Sequence, residues 1–160
     1  MTLQLEEMTH RATQELARRL RSSNTSRLFG FELETAEPGR AVVAMRVRRR
    51  HRQVHGVVHG GILAALADTT AALAVYMALP RGTPLATVEL KINFLEPVAR
   101  GKVTAEGRML RLGRNFAVAE CDVRDADGRL AAKALLTFAI NPTGIPKLRV
   151  GEKRKARRRN

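Results

Sequence analysis

From Val57 to Pro80 the only formally charged side chain is Asp68, and this constrains the chain more than any other feature. Asp68 stands in the run Gly61-Ile-Leu-Ala-Ala-Leu-Ala-Asp68-Thr-Thr-Ala-Ala-Leu-Ala-Val-Tyr76, which opens with His59-Gly60-Gly61 and stops at Pro80-Arg-Gly82-Thr-Pro84. Leucine and alanine surround the helical wheel instead of striping one side, so the pattern predicts a helix buried on most sides. The run is long enough to raise a membrane span, but its central Asp, paired threonines and leading glycines predict a core helix. Apolar surroundings disfavour a carboxylate's charge, the setting in which acids and bases are tuned. A structural Asp bonded to a neighbouring strand would fit the same pattern.

Two glycines at a helix start let a ligand approach the backbone closely. The first-turn N–H groups have no intrahelical partner, so they can polarise a carbonyl or hold an oxyanion. Gly60 and Asp68 are eight residues apart, roughly 12 Å along one helix, whereas reacting groups must come within about 3 Å. One copy of the helix cannot place both groups on one carbonyl. Two antiparallel copies in a symmetric dimer can, with Gly60 facing Asp68 of the partner subunit.

At 160 residues, 44% hydrophobic and 28% charged, the chain can bury one core of ordinary size. The single cysteine, Cys121, allows no internal disulfide and fits a reducing cytoplasm. The N-terminal Met1-Thr-Leu-Gln-Leu-Glu-Glu has no continuous apolar core, which argues against a signal peptide. Of the net charge of +14, half lies in Lys147–Asn160, with eight basic residues and one acidic. That tail reads as disordered and solvated, with weak contact to nucleic acid or an anionic surface as the alternative. The four histidines show no dense pairing with cysteine or carboxylates, so no metal is expected; His51 and His55 read as loop residues.

Leu5, Met8, Ala12, Leu16 and Leu20 recur at helical spacing and predict an amphipathic leading helix. Residues 1–26 are therefore helix and linker, 27–146 one domain, and 147–160 the tail. Phe29–Ala36 and Arg40–Val47 read as a strand pair, and 86–95, 102–112, 115–123 and 129–140 as a meander after the central helix. The class is α+β, a long helix wrapped by a curved antiparallel sheet of about six strands.

Gln53-Val-His-Gly56-Val-Val-His59-Gly60-Gly61-Ile-Leu-Ala-Ala-Leu-Ala-Asp68, with Ala86-Thr87-Val-Glu-Leu-Lys-Ile-Asn-Phe-Leu-Glu-Pro97, Gly113-Arg114-Asn115 and Asp127-Gly128 downstream, resembles the hotdog-fold acyl-CoA thioesterases of the phenylacetic-acid-degradation (PaaI-like) type. The resemblance spans roughly Phe29 to Ile140. It implies hydrolysis of an acyl- or aryl-acyl-CoA, with Asp68 as general base or nucleophile and the Gly60 N–H of the partner subunit on the thioester carbonyl. It implies that Gln53 bonds the carbonyl or the water and that Thr87 orients water. His59 is a further candidate, although holding the loop suits it better than moving protons. Gly61, Arg111, Gly113, Arg114 and Asn115 match the neighbourhood of coenzyme A, and an ordinary hairpin turn accounts equally well for Gly113-Arg114-Asn115. No cofactor beyond coenzyme A within the substrate is expected, and the assembly is expected to be a homodimer or a dimer of dimers.

Arg46, Arg48, Arg49, Arg50 and Arg52 form either a solvated face or a site for an anionic substrate such as the phosphates of coenzyme A. Two other functions stay open. One is a hotdog dehydratase or hydratase acting on an acyl thioester; the other is a non-catalytic acyl-CoA-binding protein whose tail touches nucleic acid.

Overall fold

A computed structural model describes residues 2–142, and side chains from residue 10 onward except Ala12. The tail assigned to 147–160 lies outside the described residues. Helix α1 (Thr2–Ser22) carries Arg19 and Arg21 in its last turn, where cations oppose the helix dipole. The stretch after it is not the plain linker expected from sequence. Ser23 caps a second helix, α2 (Asn24–Phe29), its hydroxyl accepting the Ser26 N–H at 3.4 Å, and Gly30 closes that helix in the left-handed region at φ 71°. The first strand consequently begins at Phe31, not Phe29.

Strands β1 (Phe31–Glu37) and β2 (Arg40–Arg46) form a hairpin, and helix α3 (Gly60–Met77) follows. Strands β3 (Leu85–Phe94), β4 (Lys102–Leu112), β5 (Phe116–Arg124) and β6 (Leu130–Ile140) complete a six-stranded antiparallel sheet in the order β1-β2-β4-β5-β6-β3. The expected meander is therefore wrong at one joint. β3 pairs with β6 at the far edge, and β4 pairs with β2. The connection from Leu95 to Gly101 crosses the end of the sheet beneath the start of α3, held by bonds from Val58 N–H to Val98 C=O (2.7 Å) and from Val47 N–H to Gly101 C=O (2.9 Å).

The sheet curls around α3. Gly107 marks the closest crossing, since a methyl group there would stand 2.9 Å from the Cα of Ala71 and from the Thr70 carbonyl. Leu66, Ala67, Ala71, Ala74 and Val75 lose all contact with solvent against Val43, Val103, Val123, Leu136 and Phe138, and each large side chain so buried contributes about 1.5–3 kcal/mol. By length and composition α3 could cross a membrane, at 18 residues and mean hydropathy 1.4, yet it is the helix that the sheet wraps and half of it is buried there. Period-two alternation turns Ala117, Ala119, Cys121 and Val123 of β5 inward. Glu120 and Asp122 face outward, both paired with Lys133 of the neighbouring strand.

Candidate functional site

His59 is the N-cap of α3, with extended backbone (φ −64°, ψ 131°), and its Nδ1 accepts the Gly61 N–H at 2.9 Å. That bond needs Nδ1 free of a proton, so the imidazole holds the loop through one nitrogen. The N–H groups of Ile62 and Leu63 both go to the His59 carbonyl, at 2.9 and 3.4 Å. Gly60 is left as the first-turn donor with no partner among the described residues.

This free N–H stands at a cavity of about 380 Å³ lined by Gln53, Gly60, Leu63, Phe94, Pro97 and Val98, among others. Gln53 is set there by a tight turn in which its N–H bonds the Val57 carbonyl (2.8 Å) and its carbonyl accepts from Gly56 (2.9 Å). Phe94 lies over the helix start. A methyl group built on Gly60 would meet the ring at 3.0 Å, which is why only glycine leaves both ring and N–H in place. Nothing in the sequence marks Phe94 as part of the site, because its role comes from a strand end meeting a helix start 34 residues earlier.

The second cluster lies further along α3. Asp68 is half-buried, and its Oδ1 accepts the Thr87 hydroxyl at 2.7 Å. Thr87 sits on edge strand β3, next to the point where the β3–β6 register shifts between Thr87 and Glu89 and leaves Val88 unpaired and exposed. The third set, Arg111, Gly113, Arg114 and Asn115, occupies the β4–β5 hairpin. Lys102, at the sheet end that meets Gly60, precedes Arg111 by nine residues and Gly113 by eleven, roughly 30–36 Å along the strand. One protomer therefore brings Gln53, His59, Gly60 and Gly61 together and pairs Asp68 with Thr87, but joins neither group to the hairpin.

His51, expected in a loop, is fully buried instead in a single 3₁₀ turn (Arg49–His51). Its Nδ1 accepts the Arg48 N–H at 3.1 Å, and its carbonyl accepts the His59 N–H at 2.9 Å, so this core histidine supports the helix cap. Burial, then the charges of Arg50 and Arg48, hold its pKa below the ordinary imidazole value. Among the described residues no three His, Cys, Asp or Glu side chains converge into a group that could hold a metal ion.

The family model of the thioesterase superfamily matches residues 55–132, the stretch from the loop before α3 into β6. The proofreading thioesterase EntH of Klebsiella pneumoniae is 36% identical over 112 residues, covering 70% of this chain and 82% of that protein. Thioesterase HI1161 of Haemophilus influenzae superposes with a TM-score of 0.75 at 31% identity, covering 88% of this chain and 94% of that one. A mutant of the phenylacetic acid degradation protein PaaI from Thermus thermophilus gives a TM-score of 0.67 at 32% identity, over 73% and 98% of the two chains. With its sheet curled around a single apolar helix and these likenesses along most of its length, the chain belongs to the hotdog thioesterase superfamily, among its PaaI-like members, as a thioester hydrolase.

Proposed function

We propose that the chain hydrolyses acyl-CoA thioesters in a site shared between two copies of itself. The observation that carries this is the unpartnered Gly60 N–H at the mouth of a largely apolar cavity, with the helix's one charged side chain about 12 Å further along. β3, which holds Asp68 through Thr87, is an edge strand with Val88 and Phe94 exposed. An antiparallel copy across that edge would set Gly60 against Asp68 of the partner subunit.

In this reading the thioester oxygen accepts the Gly60 N–H, with the Gln53 amide as a second donor, and Asp68 of the partner subunit takes a proton from water as its oxygen attacks the carbonyl carbon. Thr87 occupies Oδ1 of Asp68, which leaves Oδ2 for that water. The tetrahedral oxyanion collapses, the C–S bond breaks, and the thiolate takes the proton from Asp68. One water is consumed, and acid and coenzyme A leave. Every step uses a side chain, a backbone N–H or water, so the cycle calls on no bound cofactor. A cytoplasmic place of action suits Cys121, buried and free, its thiol pushed up to about 12 chiefly by burial.

The test is thiol release across aliphatic and aryl acyl-CoAs, with Asp68→Asn checked for fold and mass. Loss of about 10²–10⁴ in kcat is expected for a positioned acid–base group. A folded variant with full turnover removes Asp68 from the mechanism, and turnover of enoyl-CoA with none of saturated acyl-CoA would transfer the site to hydration chemistry.

A further inference from the structure

The cavity beside Gly60 carries a single charge. Its lining side chains are apolar or, at Gln53, neutral, with the exception of Glu96. The backbone fixes Glu96 from both sides. The N–H groups of Leu95 and Glu96 bond the Ala131 carbonyl at 2.8 and 3.2 Å, and the carbonyl of buried Val98 holds the Val58 N–H. Glu96 stands two residues beyond Phe94, so their Cα atoms are at most roughly 7 Å apart. Phe94 lies over the start of α3, and a medium-length acyl chain whose carbonyl is held by Gly60 spans that distance.

Glu96 forms no ion pair among the described residues. Arg129 feels its charge, but that guanidinium is engaged by Asp125 at 2.8 Å and by Asp127 at 3.5 Å. The surroundings give an unpaired carboxylate here something to oppose. The chain carries a net charge of +14, with no acidic residue between Glu37 and Asp68. The Val47 N–H bonds the Gly101 carbonyl at 2.9 Å, which brings Arg100 to the same end as the arginines of the β2–α3 loop. Such a field draws anions of every kind, and a negative group at the cavity restores discrimination among them.

Coenzyme A has its own way out. The Asn115 and Pro84 carbonyls accept the N–H groups of Ile140 and Asn141 at 2.8 and 2.9 Å, which sets the β4–β5 hairpin at the end where α3 stops. In an antiparallel pair that end of the partner subunit lies beside Gly60, so the hairpin takes coenzyme A and the cavity is left for the acyl group. Resting on the acyl-CoA reading above, we infer that Glu96 sets the charge the acyl group can carry: the site accepts neutral chains and chains ending in a cation, and rejects thioesters of dicarboxylic acids.

The experiment measures kcat/KM for three thioesters in the unaltered protein and in Glu96→Gln and Glu96→Lys. These are hexanoyl-CoA, adipoyl-CoA, which has the same chain length and a terminal carboxylate, and 4-trimethylammoniobutyryl-CoA, which ends in a fixed cation. All three carry the same coenzyme A, so its phosphates cancel in the ratios. Glu96→Gln should raise the adipoyl-to-hexanoyl ratio about fivefold or more and lower the cationic ratio by a similar factor, and Glu96→Lys should go further in both directions. Added salt should raise the adipoyl ratio in the unaltered protein and leave that of the glutamine variant little changed. Glu96 is exposed, and thermal melts verify the fold. Ratios that stay constant in both variants overturn the inference. So does a shift of the same sign for anionic and cationic chains, which would mark a change of shape and not of charge. A loss of about 10²–10⁴ in kcat on every thioester with Glu96→Gln would make Glu96 an acid–base group and overturn it as well. Absence of turnover on every acyl-CoA by the unaltered protein would instead defeat the acyl-CoA reading itself.

Discussion

At the scale of single residues, the proposed mechanism turns on one hydrogen atom, the Gly60 N–H. Proline at the first helical position keeps a helix intact because that N–H has no intrahelical partner, and the residue before it must be extended, as His59 is at ψ 131°. Gly60→Pro should therefore keep α3, but its Cβ meets Phe94 as an alanine methyl would, so the donor is isolated in the Phe94→Ala background, where the proline should still lose about 10²–10³ in kcat, the cost of one oxyanion donor. Gly60→Ala keeps the N–H but pushes its methyl into Phe94, so Phe94→Ala should recover the alanine variant and leave the proline variant inactive. Steady-state kinetics on the four proteins decide it. If the proline and alanine variants lose and regain activity together, the N–H is not the working group. His59 shows how far the residue scale was readable. A histidine before two glycines at a helix start pointed to a cap, and its Nδ1 holds Gly61. His51, eight positions earlier, gave no sign of burial, because a histidine set among arginines belongs to no apolar pattern that would mark it.

Elements were legible where the pattern was local. The apolar run of α3 and the alternation along β2 and β5 mark themselves, and both hold in the fold. The partner of β3 did not mark itself, since strand order depends on how the Leu95–Gly101 connection passes the helix and no period in the sequence records that. The β2–α3 loop hangs on neutral His51, whose folded pKa lies below its unfolded value through burial and the charges of Arg50 and Arg48. The unfolded chain thus binds more protons as pH falls below about 6.5, so stability declines from there down to the folded pKa. Urea midpoints measured from pH 8 to 5 should drop over that window, and His51→Gln should flatten the drop even if it lowers the plateau. A midpoint independent of pH in the unaltered protein would mean that His51 is charged without cost. For the edge strand, Val88→Asp puts a charge on the exposed bulge of β3. Like charges facing across a twofold axis should halve the mass in solution and abolish turnover with secondary structure retained; a dimer of undiminished activity would place the interface elsewhere.

For the molecule as a whole, the sequence carried the family and the order of helix and strands. It also carried the arithmetic that keeps Gly60 and Asp68 of one copy apart. It carried the arginine run from Arg46 to Arg52, but neither the roof that Phe94 forms nor the approach of Arg100 to that run, which arise only when segments far apart in the chain meet. The claim on which the mechanism rests is that each site draws its donor from one protomer and its base from the other. Subunit exchange tests this most directly, using equal amounts of Gly60→Pro and Asp68→Asn proteins, each inactive alone. In a mixed dimer one site carries both defects and the other carries none, so after random exchange the mixture should recover about a quarter of the unaltered activity. A mixture that exchanges subunits, as shown by mass or fluorescence, yet stays as inactive as its parents would contradict the shared site.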